Sequence, residues 1–174
     1  TNTAKDDCLG YEVKTIKSND KDLIDYNDLK DNIDENFAVV MITNPNICGL
    51  FETDMVKMSE LTHKSGGYLY CDGANFNAVV GKLKPGDLGI DAMHINLHKT
   101  FSTPHGGGGR GSGPVGFSAK VEKVCTTPQV KEIQGEYIVV EEWKKKDIEE
   151  SSRVLHVCHE WMVNEVLAIR FVCI

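Results

Sequence analysis

The chain has 174 residues, and its 19 basic and 26 acidic side chains give a formal net charge of −7 at pH 7. With 41% hydrophobic and 26% charged residues, the composition excludes an intrinsically disordered chain, which combines low hydrophobicity with high net charge. A nucleic-acid-binding protein would carry a basic surface, and no stretch approaches the ~20 consecutive apolar residues that cross a bilayer. We therefore expect a globular protein that has neither nucleic acid nor a membrane as its partner.

The start of the chain and the spacing of its cysteines are informative about processing and about the cellular compartment. The chain begins at Thr1 without an initiator methionine and without a basic or apolar leader, so we expect a processed chain or a fragment with no targeting segment. Its six cysteines are widely scattered and form no C-x-x-C motif, unlike the dense spacing of a disulfide scaffold. This pattern predicts reduced thiols in an intracellular protein.

Strand-like and helix-like segments alternate along the first part of the chain. In chain order the pattern predicts a strand at Tyr11–Ile16, a helix at Tyr26–Asn36, a strand at Phe37–Thr43, a helix at Asp54–Lys64 capped by Thr53, and strands at Tyr68–Asp72 and Ala92–Leu97. The segment FAVVMIT is short, apolar and rich in β-branched residues, as is typical of a strand buried on both faces. The alternation predicts the α/β class, with a mostly parallel sheet flanked by helices.

The character of the sequence changes after Lys120, and we divide the chain there into residues 1–120 and a tail of residues 121–174. Within the tail the pattern predicts a connector at Val121–Pro128, a hairpin at Ile133–Val140 that turns at Gln134-Gly135, and helices at Asp147–Cys158 and Glu160–Val172.

Polar residues follow three of the predicted strands, at Asn44, at Asp72 and at His98-Lys99. Open parallel sheets bind ligands beyond the carboxyl ends of their strands, so these residues are expected at one edge. An acid and a lysine placed in this way suit pyridoxal phosphate, whose aldehyde condenses with a lysine amine and whose protonated ring nitrogen pairs with a carboxylate. Ala74 is small enough to let the ring lie flat against the chain. The alternative is a solvated lysine and a turn-forming aspartate.

A glycine-rich run extends from His105 to Pro114. Glycines let the backbone approach a ligand and direct amide groups at an anion. The run lacks the Lys-Ser/Thr ending of an ATP-type phosphate loop and does not form a strand-to-helix dinucleotide turn. A flexible linker and a plain α/β domain whose loop binds some other anion remain alternatives.

The histidines do not have the spacing of a metal site. His94 and His98 would share a face only on a helix, whereas the local pattern is strand-like. The group His156, Cys158 and His159 has no partner set elsewhere at metal-ligand spacing. We expect no metal.

The segment NLHKTFSTPH at 96–105, with the glycine run that follows, closely resembles the lysine segment of glycine dehydrogenase (decarboxylating), the P-protein of the glycine cleavage system. The resemblance continues at TNPN (43–46), GLFE (49–52), YCDGAN (70–75), PGDLG (85–89) and GPVG (113–116). It is dense from about Gly10 to Ala119, and the motif around Lys99 is long and specific.

The resemblance implies part of the large domain of a fold type I pyridoxal-phosphate-dependent transferase. It implies that Lys99 is the Schiff-base lysine and that Asp72 pairs with the pyridine nitrogen. By the same resemblance, the remaining residues of the cofactor pocket are Ala74 and Asn75 beside the acid, His98 beside the cofactor, Asn44 at the phenolic oxygen, and His105, Gly106 and Gly107 in the pocket wall near the phosphate or a neighbouring chain.

The activity that the resemblance implies is decarboxylation of glycine, followed by transfer of the aminomethyl group to the lipoyl arm of the H-protein. It also implies assembly with other P-protein chains, in bacterial cytoplasm or the mitochondrial matrix. The upstream part of the family's large domain is missing, and Arg110 stands where the family usually has proline. The alternative is a non-catalytic remnant that binds pyridoxal phosphate weakly or acts only by assembling with partner chains.

Overall fold

The computed structural model describes residues 12–102, 113–122 and 129–140. The strands are β1 Val39–Thr43, β2 Tyr68–Asp72, β3 Ala92–His94, β4 Val115–Phe117, β5 Gln129–Ile133 and β6 Glu136–Val140. The helices are α1 Tyr26–Asn32, α2 Met55–Lys64, α3 Leu97–Thr100 and α4 Ala119–Glu122, with a 3-10 turn at Pro85–Leu88.

A four-stranded sheet in the order β1-β2-β3-β4 organises this part of the chain. The β1–β2 and β2–β3 pairs are parallel, and β4 runs antiparallel to β3. In the register of the sheet Thr43 lies beside Asp72, and Asp72 lies beside His94. The carboxyl ends of the three parallel strands therefore meet at one edge. The predicted α/β class, with a mostly parallel sheet and flanking helices, is confirmed.

The hydrophobic core lies between α2 and one face of the sheet. Met55 and Met58 of α2 are 1% exposed and pack with Leu69 and Cys71 of β2, which are equally buried. Because side chains alternate along a strand, Tyr70 and Asp72 project from the opposite face. Burial of this apolar set holds the sheet in place and leaves the polar residues of β2 for another role.

The helix α1 is shorter than the predicted Tyr26–Asn36. The carboxylate of Asp25 caps its start by accepting from the backbone N–H of Asn27 at 2.9 Å. The helix ends at Asn32, and Ile33 is already extended. The side chain of Asp34 then accepts from the backbone N–H of Asn36, forming a local turn that competes with helix.

The start of α2 also differs from the predicted cap at Thr53. The N-cap position belongs to Asp54, and its side chain makes no cap hydrogen bond. The Asp54 carboxylate instead pairs with Lys57 Nζ at 2.7 Å on the exposed surface. Packing of Met55 and Met58 on the sheet, rather than a cap, thus accounts for where this helix begins.

Two of the predicted strands also differ from the observed structure, and tertiary contacts account for the differences. Residues 12–16 of the predicted first strand have no regular structure. The predicted strand Ala92–Leu97 stops at His94, because the Asn96 N–H bonds to the Ala74 carbonyl at 3.3 Å and Leu97 begins α3. None of the helices in the described ranges is long and apolar enough to cross a membrane.

The predicted hairpin is present, and its turn is where the sequence places it. Gln134 and Gly135 have φ values of 53° and 85°, as a two-residue turn of the I′ type requires. The first strand of the hairpin, β5, extends back to Gln129, whereas the prediction began it at Ile133. The two predicted tail helices lie outside the described residues, and the division of the chain at Lys120 stays a prediction.

A buried carboxylate connects the sheet to α2 at the edge opposite the strand ends. Asp91, immediately before β3, has a side chain that is only 3% exposed. Its Oδ2 lies 2.6 Å from His63 Nε2 and accepts from the Leu69 N–H at 2.9 Å, while its Oδ1 accepts from the Ser118 hydroxyl at 3.3 Å. Buried charges are tolerated when they are paired and hydrogen-bonded in this way.

Replacing Asp91 with alanine is expected to lower the free energy of unfolding by about 3 kcal/mol, since the buried Leu69 N–H and Ser118 hydroxyl lose their acceptor. Urea denaturation of the variant measures the loss. Asp31→Ala, which removes the same charge from an exposed position of α1, is the matched control and is expected to change stability by less than about 0.5 kcal/mol. Equal effects of the two variants would contradict the structural role of Asp91.

Candidate functional site

The carboxyl edge of the sheet holds the loop that follows Asp72 against the helix that carries Lys99. The Asp72 carboxylate accepts from the Ala74 N–H at 3.0 Å. The Ala74 carbonyl in turn accepts from the Asn96 N–H at 3.3 Å, at the start of α3. A second bond runs from the Phe76 N–H to the Thr100 hydroxyl at 2.9 Å, at the end of α3. The predicted meeting of the acid segment and the lysine segment at one edge is therefore observed in the backbone.

A glycine allows the close approach at this edge. Gly73 follows Asp72 directly, and a Cβ placed on it would lie 2.7 Å from the His94 carbonyl oxygen and would overlap the Met93 side chain. Any side chain at this position would push the end of β2 away from the end of β3. The YCDGAN segment thus needs its glycine in order to bring Asp72 beside His94.

The Lys99 side chain is exposed on α3. Its backbone N–H bonds to the Asn96 carbonyl at 3.1 Å, which anchors the first turn of this short helix. Within the described part of the chain its amine makes no hydrogen bond or ion pair. His98, the residue before it, is half-buried. The Lys99 amine can therefore reach a ligand without first breaking a bond to any of the described residues.

Asn44, which follows β1, is 6% exposed. Its Oδ1 accepts from the Glu52 N–H at 3.0 Å, whereas its buried Nδ2 has no hydrogen-bond partner among the described residues. Leaving a buried donor unsatisfied costs about 1–3 kcal/mol. A ligand oxygen at the carboxyl edge would remove that cost, so this amide fits the phenolic oxygen of pyridoxal phosphate.

The electrostatic surroundings of Asp72 include a histidine and a tyrosine. His94 Nε2 lies 3.4 Å from Asp72 Oδ1, and His94 Nδ1 lies 2.5 Å from the Tyr70 hydroxyl. Burial raises the pKa of the Tyr70 hydroxyl well above its usual range, and the charge of Asp72 adds to this effect. On the other face, burial raises the pKa of the Cys71 thiol to about 11, so this cysteine is protonated at neutral pH and is not a nucleophile.

Sequence reasoning missed the grouping of Tyr70 and His94 with Asp72. Strand alternation already puts Tyr70 on the face of Asp72. The position of His94 depends on the pairing of β2 with β3, which local sequence does not reveal.

The remaining site residues differ in how the structure places them. Ala74 is half-buried, whereas Asn75 is exposed and its side chain accepts from the Asn77 N–H at 3.4 Å within its own turn. Within the described ranges no group of three or more histidine, cysteine or acidic residues could hold a metal ion. Other predicted positions lie outside the described residues: His105, Gly106, Gly107, His156, Cys158 and His159.

A mostly parallel sheet whose carboxyl edge brings together an acid and a lysine segment is typical of pyridoxal-phosphate enzymes. Residues 3–108, more than half of the chain, match the family model described as Aminotransferase class-V. The chain belongs to this family, whose cofactor is pyridoxal 5′-phosphate.

Two bacterial relatives bear the name "Probable glycine dehydrogenase (decarboxylating) subunit 2". The protein of Caulobacter vibrioides is 55% identical over 128 residues, which cover 74% of this chain and 24% of that protein. The protein of Kosmotoga olearia is 52% identical over 130 residues, which cover 75% of this chain and 27% of that protein. The chain thus spans about a quarter of the length of these curated relatives. They confirm the resemblance to glycine dehydrogenase.

Among solved structures, the cysteine desulfurase CsdA of Escherichia coli superposes with a TM-score of 0.58 at 17% sequence identity. The superposition covers 96% of this chain and 39% of that chain. At this identity the likeness shows the fold alone. It agrees with the observed order of strands and helices.

Proposed function

We propose that this chain is part of a pyridoxal-phosphate-dependent enzyme that decarboxylates glycine and passes the aminomethyl group to the lipoyl arm of an H-protein. One observation carries the proposal: the loop after Asp72 is hydrogen-bonded at both ends of α3, the helix that carries Lys99. The identity of 55% to a relative named as a glycine dehydrogenase subunit supports glycine as the substrate.

The residues at the carboxyl edge fit the cofactor. When bound, pyridoxal phosphate supplies an aldehyde for an amine and a protonated ring that accepts electrons as a bond to the substrate α-carbon breaks. Lys99 would attach to the aldehyde, and Asp72 would hold the proton on the ring nitrogen. The Asn44 Nδ2 would donate to the phenolic oxygen. His98, half-buried next to Lys99, would lie against the bound group.

We further propose that the chain works in an assembly with other chains of the same enzyme. The strand β1 forms an edge of the described sheet, and an edge strand offers unpaired backbone groups to a neighbour. The names of the two relatives, each of which is called a subunit, support the same view. The wide scatter of the six cysteines along the sequence supports a reducing compartment, the bacterial cytoplasm or the mitochondrial matrix.

The test has two stages. Addition of pyridoxal phosphate to the chain is expected to produce visible absorption and an adduct that borohydride traps at Lys99. Exchange of carbon dioxide with the carboxyl group of labelled glycine, with H-protein and a complementary large-domain chain supplied, is then expected to exceed the rate without this chain. Absence of exchange in that mixture would favour the alternative of a non-catalytic remnant. Absence of both signals would overturn the proposal.

Asn44→Ala is expected to weaken the binding of pyridoxal phosphate about tenfold, because one hydrogen bond of about 1.4 kcal/mol to the ring is lost. Titration of the visible absorption gives the dissociation constant. The exposed Asn27 provides the control, since Asn27→Ala removes the same amide from the surface of α1. Unchanged affinity in the Asn44 variant would show that its buried amide has another partner.

A further inference from the structure

We propose that His94 is a positioning residue for Asp72 and that Tyr70 holds the His94 ring in a single tautomer. The proposal rests on the proposed function, because the purpose of an oriented Asp72 is to meet the ring nitrogen of the cofactor. It adds two residues to the site that neither the strand-end pattern nor the resemblance assigns to it.

The three side chains form a continuous row on one face of the sheet. Tyr70 and Asp72 are two residues apart on β2 and therefore project to the same side, and His94 is the partner of Asp72 in the register of β3. The Tyr70 and His94 rings are nearly parallel, with centroids 5.9 Å apart and planes 16° apart. The strand pairing thus brings both ring nitrogens of His94 to a polar neighbour, Tyr70 on one side and Asp72 on the other.

The protonation of Tyr70 bears on the direction of the hydrogen bond between its hydroxyl and His94 Nδ1. Burial keeps the Tyr70 hydroxyl protonated, since its pKa is raised well above the usual range. A protonated phenol 2.5 Å from His94 Nδ1 can donate to that nitrogen, and this is the direction that we propose. In the neutral imidazole the proton then resides on Nε2, the nitrogen that faces Asp72 Oδ1 at 3.4 Å.

This arrangement gives one oxygen of the Asp72 carboxylate a hydrogen bond from the loop and a close contact with His94. The Ala74 N–H meets Oδ1 at 3.0 Å from the loop, and His94 Nε2 approaches Oδ1 from β3. Because the hydrogen bond and the contact come from different directions, they restrict the rotation of the carboxylate about its Cβ–Cγ bond. A group that is oriented before the ligand arrives loses less freedom on binding, and the ligand therefore binds more tightly.

The first test is made on the chain without cofactor. Nitrogen-15 NMR of the His94 ring at mildly alkaline pH is expected to show the Nε2–H tautomer in the wild-type chain. Tyr70→Phe removes one oxygen and is expected to shift this ring toward the Nδ1–H form. The control is Tyr68→Phe, at the preceding position on the same face of β2, which should leave the His94 tautomer unchanged. A wild-type His94 ring with the proton on Nδ1, or with both nitrogens protonated, would overturn the proposal.

The second test uses cofactor binding with a rescue. His94→Leu is expected to raise the dissociation constant of pyridoxal phosphate about tenfold, because Asp72 loses the neighbour that orients its carboxylate. His94→Gln, whose amide can still donate toward Asp72, is expected to restore most of the affinity. A purely packing role predicts similar affinities for the two variants, since leucine fills the space as well as glutamine does.

Different measurements would overturn the proposed function and the positioning role of His94. Failure of the wild-type chain to bind pyridoxal phosphate counts against the proposed function, whereas the tautomer of His94 is measured without cofactor and tests the tyrosine–histidine relation alone. Wild-type affinity in His94→Leu, together with normal binding by the wild-type chain, would overturn the positioning role.

Discussion

Lys99→Ala is expected to abolish the covalent attachment of pyridoxal phosphate, with complete loss of the borohydride-trapped adduct and of glycine-dependent carbon dioxide exchange. The reason is that the proposed chemistry needs a primary amine at the carboxyl edge, and Lys99 supplies one on α3 that no described residue engages. Peptide mapping after borohydride reduction measures the adduct directly.

Two further variants make this result specific. Lys99→Arg keeps the positive charge but cannot condense with an aldehyde, so it is expected to lose the adduct as completely as alanine does. Lys82→Ala removes an exposed lysine from the loop before the 3-10 turn and is expected to keep the adduct. A trapped adduct at wild-type yield in Lys99→Ala would contradict the assignment of the lysine.

Asp72→Ala is expected to reduce glycine-dependent carbon dioxide exchange by about 10³-fold, while the adduct at Lys99 still forms. The electrons released from the substrate need a protonated ring to accept them, and a neutral pyridine is a much poorer acceptor. Removal of one preorganised electrostatic group from a site typically costs about 10²–10³ in turnover. The exchange rate and the trapped adduct are measured on the same preparation.

The isosteric variant Asp72→Asn separates the charge from the local fold. Its side-chain oxygen can still accept from the Ala74 N–H, so the loop to α3 is retained. Turnover is expected to fall nearly as far as in the alanine variant, because the negative charge is gone. Asp87→Ala, at an exposed acid in the 3-10 turn, is the control. Near-normal exchange in either Asp72 variant would contradict the role of this carboxylate.

Local signals were sufficient for the parts of the fold that depend on neighbours in sequence. The apolar runs that became β1 and β2 end at Thr43 and Asp72, as predicted, because a strand buried in a sheet needs an unbroken set of apolar residues on its inner face. The turn at Gln134-Gly135 was likewise predictable, since a two-residue hairpin turn needs positive φ at both positions.

Segments whose form depends on a partner elsewhere in the chain were predicted less well. Residues 12–16 alternate like a strand, yet alternation alone gives no hydrogen-bonding neighbour, and they have no regular structure. The segment after His94 leaves the sheet because Asn96 bonds to the loop at Ala74. A strand pattern and a short helix share the same residues there, and only the contact decides between them.

The amino-acid sequence by itself determined the strand ends at which Asn44 and Asp72 stand, because hydrophobic patterning is a local property of the chain. Only the tertiary structure decided that His94 faces Asp72 and that the amide of Asn44 is buried with an unsatisfied donor. It also decided that Asp91 is a buried charge. These facts depend on strand register and on packing between distant segments. A shift of one residue in the pairing of β2 with β3 would turn His94 to the opposite face of the sheet, away from Asp72.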